Sequence, residues 1–503
     1  MPASVFQHLP LGQPIPGSPH SVSCSLPTMR DVRGYEEKDP ATVRALATGY
    51  PRFVVHPFAR RLAEHFAATG PGLKGRTLWL ASSEKMARSL AAHLGTEAQV
   101  FRRDGLHGAS HPGSPDTWLR AKVFLQNLGG FISSREAEDH LVRPGLLAAP
   151  HKEELFAGDA PAEIRRHLRT ALPGAADADL ILANCGMNAI HAAFRAVNEI
   201  QAPRGRTVWL QLGWLYLDTI AILKKFTAAP SDYVYVRDVL DFAALDRIFA
   251  AHGARIAGVV AEVPTNPLIQ TPDLPALAAL CRKHGAHLLV DPSISSVFNL
   301  DVLQHSDVLV TSLTKYTASE GDLTAGLCAV NPAAPDAAEL RARIAAHVEP
   351  LYARDAARLA SQIGRTPAVL KQIHAGTAQV VAFLEKHPAV QDVFWALSAD
   401  NRENYLRLAR APDATGGMIT FTLREAGSLA RFYDRLRLPK GPSFGMNTTL
   451  ICPFMYLAHY DLVTTPAGLA ELAASRLDPD LLRLCVGTEP ADDLIATLAE
   501  ALD

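Results

Sequence analysis

With 503 residues, 48% hydrophobic and 20% charged, the chain has ordinary globular composition and enough length for two or three domains with substantial cores, which sets aside a small binding module. Lys and Arg number 49 against 51 Asp and Glu, so no basic surplus argues for nucleic acid or an anionic membrane, and a small-molecule substrate is expected. Cys24, Cys185, Cys281, Cys328, Cys452 and Cys485 stand singly without metal-ligand spacing; with no long apolar run and no charged-then-apolar leader, a cytoplasmic, disulfide-free protein without a metal site is expected.

The N-terminal stretch, rich in Pro, Ser and Gly (GQPIPGSPHSVS), reads as an extended arm lying on other parts of the molecule. From Arg76, TLWLASS, KMARSLAAHL and AQVFRRD spell strand, helix and strand of a small α/β element. A helix follows from Asp116 to about Gln126, the stretch from Gly129 to Ala149 carries no clear period, and HKEELFAGDAPAEIRRHLRTAL reads as an exposed helix leading into the next unit.

Beyond Ala175 the pattern sharpens. The apolar run DLILANC stops at Gly186 and gives way to the helical MNAIHAAFRAVNEI; strand TVWLQLG and helix DTIAILKKF follow. ARIAGVVAEV is a strand, LPALAALCRKHG a helix closed by Gly285, and AHLLVDP and SDVLVTSL are strands. This alternation predicts an α/β fold with a mostly parallel sheet covered on both faces, with catalytic groups at the strand carboxyl ends. After Tyr352 the helices ARDAARLASQIG and TPAVLKQIHAGTAQVVAFLEKH precede strands AVQDVFWAL, GGMITFTL and LLRLCVG, the α+β character of a C-terminal domain. The expected divisions are 1–75, 76–175, 176–351 and 352–503.

Asp291 ends one apolar strand and Lys315 follows another, so both ionisable groups sit where buried strands open into a crevice. Alone, each has an ordinary reading as a turn residue or a solvated charge. Together they meet the needs of pyridoxal 5′-phosphate (PLP): a lysine that binds the cofactor covalently, and an acid that keeps the ring nitrogen protonated. Ser312 and Thr314 flank the lysine, and alternation points both hydroxyls to one side if the segment stays extended. Gly186 marks a strand-to-helix junction whose backbone N–H groups attract phosphate.

AEVPTNP, HLLVDPS, VTSLTKY and LLRLCVGTE resemble, in order and spacing, motifs of the Cys/Met-metabolism PLP family of fold type I. IPGSPHSVSCSLPTMRDVRGYEE, GYPRFVVHP, WLQLGWLYLDT and KGPSFGMNTTLICPF resemble its fungal-type cystathionine γ-synthase branch, which extends the resemblance over nearly the whole chain. The resemblance implies a seven-stranded-type sheet and the following roles. Lys315 would be the cofactor lysine and proton shuttle, and Asp291 the partner of the ring nitrogen. Ser312, Thr314, Gly186 and Met187 would bind phosphate, with Ser293 and Asn266 also at the cofactor and Asn266 near the substrate. Tyr216 would stack on the cofactor ring and act in proton transfer. Tyr50 and Arg52 would reach the phosphate of a neighbouring subunit, making residues 1–75 a dimer-contact segment and the assembly a homodimer or homotetramer. Arg483 would bind the substrate α-carboxylate beside Ser443.

The chain departs from the family pattern in three places. Leu217 and Asp218 stand where the family reads Gly-Gly after the tyrosine, Pro442 stands where a Glu often precedes the serine, and 76–175 is an atypical insertion. The implied activity is γ-replacement on an O-acyl-homoserine by cysteine to give cystathionine, in methionine biosynthesis. The alternatives are a C–S lyase or sulfhydrylase of the same family, and an inactive regulatory paralogue.

Overall fold

The computed structural model describes residues 6–51, 53–70 and 72–503. Its centre is a seven-stranded sheet built from β1 (Leu180–Ala183), β2 (Val208–Leu212), β3 (Tyr233–Val236), β4 (Ile256–Glu262), β5 (His287–Asp291), β6 (Val308–Ser312) and β7 (Gly326–Val330). Their order across the sheet is β1-β7-β6-β5-β4-β2-β3, with β7 antiparallel to both its neighbours and the other pairs parallel. The expected mostly parallel sheet is present. Every residue of β4 and β7 is buried, as befits strands covered on both faces.

The helix Gly186–Gln201 lies on one face, where Phe194 meets Trp209 with ring centroids 4.5 Å apart. The helix Leu274–His284 ends, as expected, at Gly285, whose φ of +67° is the left-handed conformation a helix C-terminus favours. β3 and β7 are absent from the sequence reading. Apolar runs of four or five residues give periodicity too little length to separate strand from helix.

The preceding unit is a three-stranded antiparallel sheet of Arg76–Ala81, Leu106–Pro112 and Gln99–Arg103, in that order. The middle strand, LHGASHP, was not expected because it carries little apolar alternation. Gly108 lets it approach its neighbour, since a Cβ there would fall 2.2 Å from the Trp79 carbonyl oxygen. The stretch without a period contains the helix Ser134–Val142, capped by Ser133. Its buried face includes Arg135 and Glu138, and a polar core leaves no hydrophobic period to read. The charged segment after it forms helix only over Ala160–Ala171. That helix is not simply exposed: Ala160, Ile164, Leu168 and Ala171 pack into the main core.

Helices Ala353–Ile363 and Thr366–Leu384 lead to an antiparallel sheet of Val390–Trp395, Met418–Leu423, Leu482–Cys485 and Leu450–Pro453, in that order. The N-terminal arm lies on this end of the molecule, with Val22 N donating to Gly321 O at 2.9 Å and Leu26 N to Lys440 O at 2.9 Å. All six cysteines are buried, and none is in a disulfide. Among the described residues no helix is long and apolar enough to cross a membrane.

The insertion is fastened to the body by a buried ion cluster. Arg135, fully buried, pairs with Glu153 at 2.6 Å, Asp355 at 3.0 Å and Asp322 at 3.4 Å. Removing the guanidinium strands several buried carboxylates, so Arg135→Met is expected to destabilise the protein by about 3–5 kcal/mol. Denaturant unfolding of the two proteins side by side measures it.

Candidate active site

A cavity opens at the carboxyl ends of β4, β5 and β6, where ligands gather in sheets of this kind. In-register pairing of β5 with β4 sets Asp291 beside Glu262, and both line the cavity floor. β6 ends at Ser312 and the chain turns at once, Lys315 N donating to Ser312 O at 3.2 Å. The turn delivers the Lys315 amine into the cavity. There it donates to Ser443 Oγ at 2.6 Å, reaches Tyr50 Oη at 3.5 Å, and stands 4.6 Å and 4.8 Å from the ring centroids of Tyr50 and Phe444.

The same turn overturns the extended-segment expectation for Thr314. Its hydroxyl does not share the side of Ser312; it accepts from Ala325 N at 3.2 Å, and the residue does not line the cavity. Ser312 does line it, facing Gly186 at the start of the helix. A Cβ on Gly186 would lie 2.8 Å from Ser312 Cβ, and Cys185 provides no side-chain cap to that helix. Gly186 and Met187 therefore offer backbone N–H groups to an anion across a glycine-sized gap.

Ser293 organises Asp291. Its Oγ and N donate to Asp291 Oδ1 at 2.6 and 2.9 Å, and its Oγ accepts from Ser312 N at 2.8 Å. Burial pushes the Asp291 carboxyl up to about 6, against the lowering effect of these bonds. Glu262 is pushed well above the usual carboxylate range, first by burial and then by the charge of Asp291. Its Oε1 accepts from Tyr216 N at 2.5 Å, which places the Tyr216 backbone at the cavity rim.

Arg483 enters from the C-terminal sheet. It is buried, its Cζ lies 4.6 Å from the Phe454 ring centroid and 5.3 Å from that of Phe444, and its Nη1 and Nη2 donate weakly at 3.4 Å to Asn266 Oδ1 and Ser443 O. No ion pair among the described residues includes it, which suits a guanidinium kept for a ligand carboxylate. Ser443 has φ +81°, an unusual backbone for a residue with a side chain. It turns its hydroxyl to Lys315 and its carbonyl to Arg483.

The cavity thus gathers Lys315, Asp291, Gly186, Met187, Ser312, Ser293, Asn266, Tyr216, Ser443, Arg483 and Tyr50. Arg52 lies outside the described residues. Sequence reasoning missed Glu262, Phe444 and Phe454, which also line it, as do Leu217 and Pro442, noted in the sequence as departures from the family pattern. The strand-end logic that found Asp291 applies equally to Glu262, the last residue of β4. Asp218 is engaged away from the cavity, where its Oδ1 accepts from Gln126 Nε2 at 3.0 Å and Asn127 Nδ2 at 2.9 Å and joins the insertion to the body.

These groups fit pyridoxal phosphate: an amine, a buried acid at a neighbouring strand end, and an uncapped helix start behind a glycine. In the cofactor-free protein Asp291 has a folded pKa raised above its unfolded value of 3.8 to about 6. Its protonated form is favoured by folding, so this stability is present below about pH 4 and lost as pH rises through about 6. Thermal unfolding of the cofactor-free protein is expected to show that decline, and Asp291→Asn is expected to reduce it, leaving the part due to Glu262.

A family model described as Cys/Met metabolism PLP-dependent enzyme matches residues 166–503. The chain is 39% identical, over 98% of each protein, to the L-2-amino-4-chloropent-4-enoate dechlorinase/desaturase of Streptantibioticus cattleyicolor. It is 27% identical, again over 98% of each, to a cystathionine gamma-synthase of Neurospora crassa. Among solved structures it is similar in fold to a cystathionine gamma synthase from Xanthomonas oryzae pv. oryzae, with a TM-score of 0.58 and 23% identity, covering 69% of this chain and 86% of that one.

Proposed function

The chain belongs to the Cys/Met metabolism PLP-dependent enzyme family, and from that premise we propose that it removes a small leaving group from the γ-carbon of an L-α-amino acid. Pyridoxal phosphate, when bound, supplies an acceptor for the electron pair released as the α-proton departs. Lys315 holds the cofactor and its Nζ carries the proton taken from Cα. Asp291 keeps a proton on the ring nitrogen, and the N–H groups of Gly186 and Met187 with Ser312 Oγ hold the phosphate. Arg483 grips the substrate carboxylate, while Ser443 Oγ keeps the Lys315 amine in place between steps. A proton leaves with the γ-substituent, so the substrate loses HX overall and the product is an unsaturated amino acid.

The observation that carries this reading is the cavity wall. Phe53, Leu217, Phe454 and Leu457 contribute apolar side chains to the lining, and Lys315 and Arg483 are the basic side chains among the described lining residues. With one given to the cofactor and the other to the substrate carboxylate, an incoming cysteine finds no described cation for its own carboxylate. A halide or similarly small group suits a lining with these apolar side chains, in keeping with the relative whose substrate name places chlorine on C4, the γ-carbon. The second reading is γ-replacement on an O-acyl-homoserine by cysteine to give cystathionine, favoured by the full-length similarity to the Neurospora synthase.

Product analysis separates the two. The purified enzyme is given L-2-amino-4-chloropent-4-enoate, and separately acetyl, succinyl and phosphoryl esters of homoserine with and without cysteine. Chloride release without a thiol, with the amino group retained in the product, is expected. A higher kcat/KM for cystathionine formation from any ester would sink the elimination reading in favour of the synthase.

A further inference from the structure

The insertion helix Pro115–Leu128 ends at Gly129, in the left-handed conformation with φ +66°, and this end reaches the starts of two helices that bear cavity residues. The first is the helix Gly186–Gln201 behind the phosphate cradle. Asn184 Nδ2 donates to Gly129 O at 2.7 Å and Asn188 Nδ2 to Leu128 O at 3.1 Å. A Cβ on Gly129 would fall 2.4 Å from Cys185 Sγ, so the insertion lies directly against the residue before Gly186. The second is the helix Leu217–Phe226, which follows Tyr216. Asp218, in its first turn, accepts on Oδ1 from Gln126 Nε2 at 3.0 Å and from Asn127 Nδ2 at 2.9 Å. Lys225 Nζ, near the other end of the same helix, donates to Asn127 Oδ1 at 2.6 Å.

An acid in the first turn of a helix is ordinarily a solvated partner of the helix dipole. Asp218 is different: it is 1% exposed and Asn127 is 4% exposed, and a buried carboxylate is tolerated where hydrogen bonds replace its water. Asn127 is matched at both ends, its amide N–H to the carboxylate and its carbonyl to the ammonium, which fixes its orientation. Tyr216, at the N-cap of the helix, makes no side-chain capping bond, which leaves Asp218 to tie the first turn to the insertion. Asp218 and residues 76–175 are both departures from the family pattern, and here one departure bonds to the other. A glycine at 218 would take this acceptor away from Gln126 and Asn127.

We propose that the end of the insertion helix is a brace that sets Tyr216 and Leu217 against the phosphate cradle of Gly186 and Met187, with Asn127 and Asp218 as its positioning residues. Tyr216 and Leu217 line the cavity and Asp218 does not, so the pair acts on the site through its neighbours. The proposal rests on the reading of this cavity as the cofactor site, and it holds whichever leaving group the enzyme removes.

The test exchanges the partners. In Asn127→Asp a second carboxylate faces Asp218; adding Asp218→Asn moves the amide to the other side and restores the hydrogen bond, with Lys225 still facing an acceptor. Cofactor-free protein of each kind is titrated with pyridoxal phosphate, and the visible circular dichroism of the bound cofactor reports how its ring is held. Asn127→Asp is expected to weaken cofactor binding about 10-fold, to diminish the visible dichroism and to lower kcat about 10-fold, as loss of a supporting contact does. The double variant is expected to return each to within about twofold of wild type, the mark of a directly coupled pair. A fastening with no part in the site would lower the melting temperature of Asn127→Asp and leave affinity, dichroism and kcat at wild-type values. That result would overturn the proposal, as would a double variant no better than the single. If Asn127→Asp does not fold, Asn127→Ala, Asp218→Ala and their combination take its place. The combination is then expected to lose no more than Asp218→Ala alone, and additive losses, or wild-type affinity and dichroism throughout, would overturn the brace. Wild-type protein that gains no visible band with pyridoxal phosphate would defeat the cofactor reading and the brace with it, whereas a wild-type band with indifferent variants would defeat the brace alone.

Discussion

Lys315→Ala is expected to give a folded, colourless protein that loses cofactor on dialysis and turns over at least about 10³-fold more slowly than wild type, since it removes both the covalent anchor and the general base. The site supports so large an effect because nothing else in it duplicates the amine. Ser443 and Tyr50 touch Lys315 Nζ through hydroxyls, and the other basic residue described in the lining, Arg483, is the one proposed for the substrate carboxylate. Lys315→Arg is expected to do no better, because a guanidinium does not give up its proton near neutral pH. Folding should survive either change, since the described contacts of the amine include hydroxyl bonds and two aromatic faces rather than an ion pair. Absorbance after dialysis and single-turnover kinetics measure the two losses separately. A coloured Lys315→Ala protein would show that another lysine holds the cofactor.

What the sequence made legible is what strand geometry makes local. Asp291 and Lys315 each lie at the end of an apolar run, and a strand end in a covered sheet is a crevice wall, so their place at the cavity could be read without knowing their neighbours. Thr314 was misread because one turn after Ser312 cancels the alternation that an extended strand would impose. The insertion was opaque for a different reason. Arg135 and Glu138 are core residues of its helix, and charge in a core erases the apolar period on which reading depends. Tyr50 was found through a motif, and it lines the cavity with its hydroxyl 3.5 Å from Lys315 Nζ. Leu217, at the start of the helix Leu217–Phe226, and Pro442 are distant in sequence and meet only in the cavity lining.

Arg483 is the remaining residue whose loss should be severe, and its signature should differ from that of Lys315. Arg483→Leu removes the fork proposed to hold the substrate α-carboxylate, an interaction of a charged pair away from water that is worth about 3–5 kcal/mol when one partner is deleted. The loss of kcat/KM is expected to be roughly 10²–10³-fold, mostly in KM, with the absorbance of the bound cofactor unchanged. Arg483→Lys should fall between, keeping the charge and losing the second hydrogen bond. Stability argues in the opposite direction from activity. The guanidinium is buried against Phe444 and Phe454 and makes no ion pair among the described residues. Replacing a buried charge that has no ion-pair partner among the described residues with an apolar side chain should leave the melting temperature of the ligand-free protein unchanged or raise it. A variant that lost cofactor and stability together would place Arg483 in the scaffold. One that binds cofactor normally, melts no lower and fails only toward the amino acid would place it at the carboxylate.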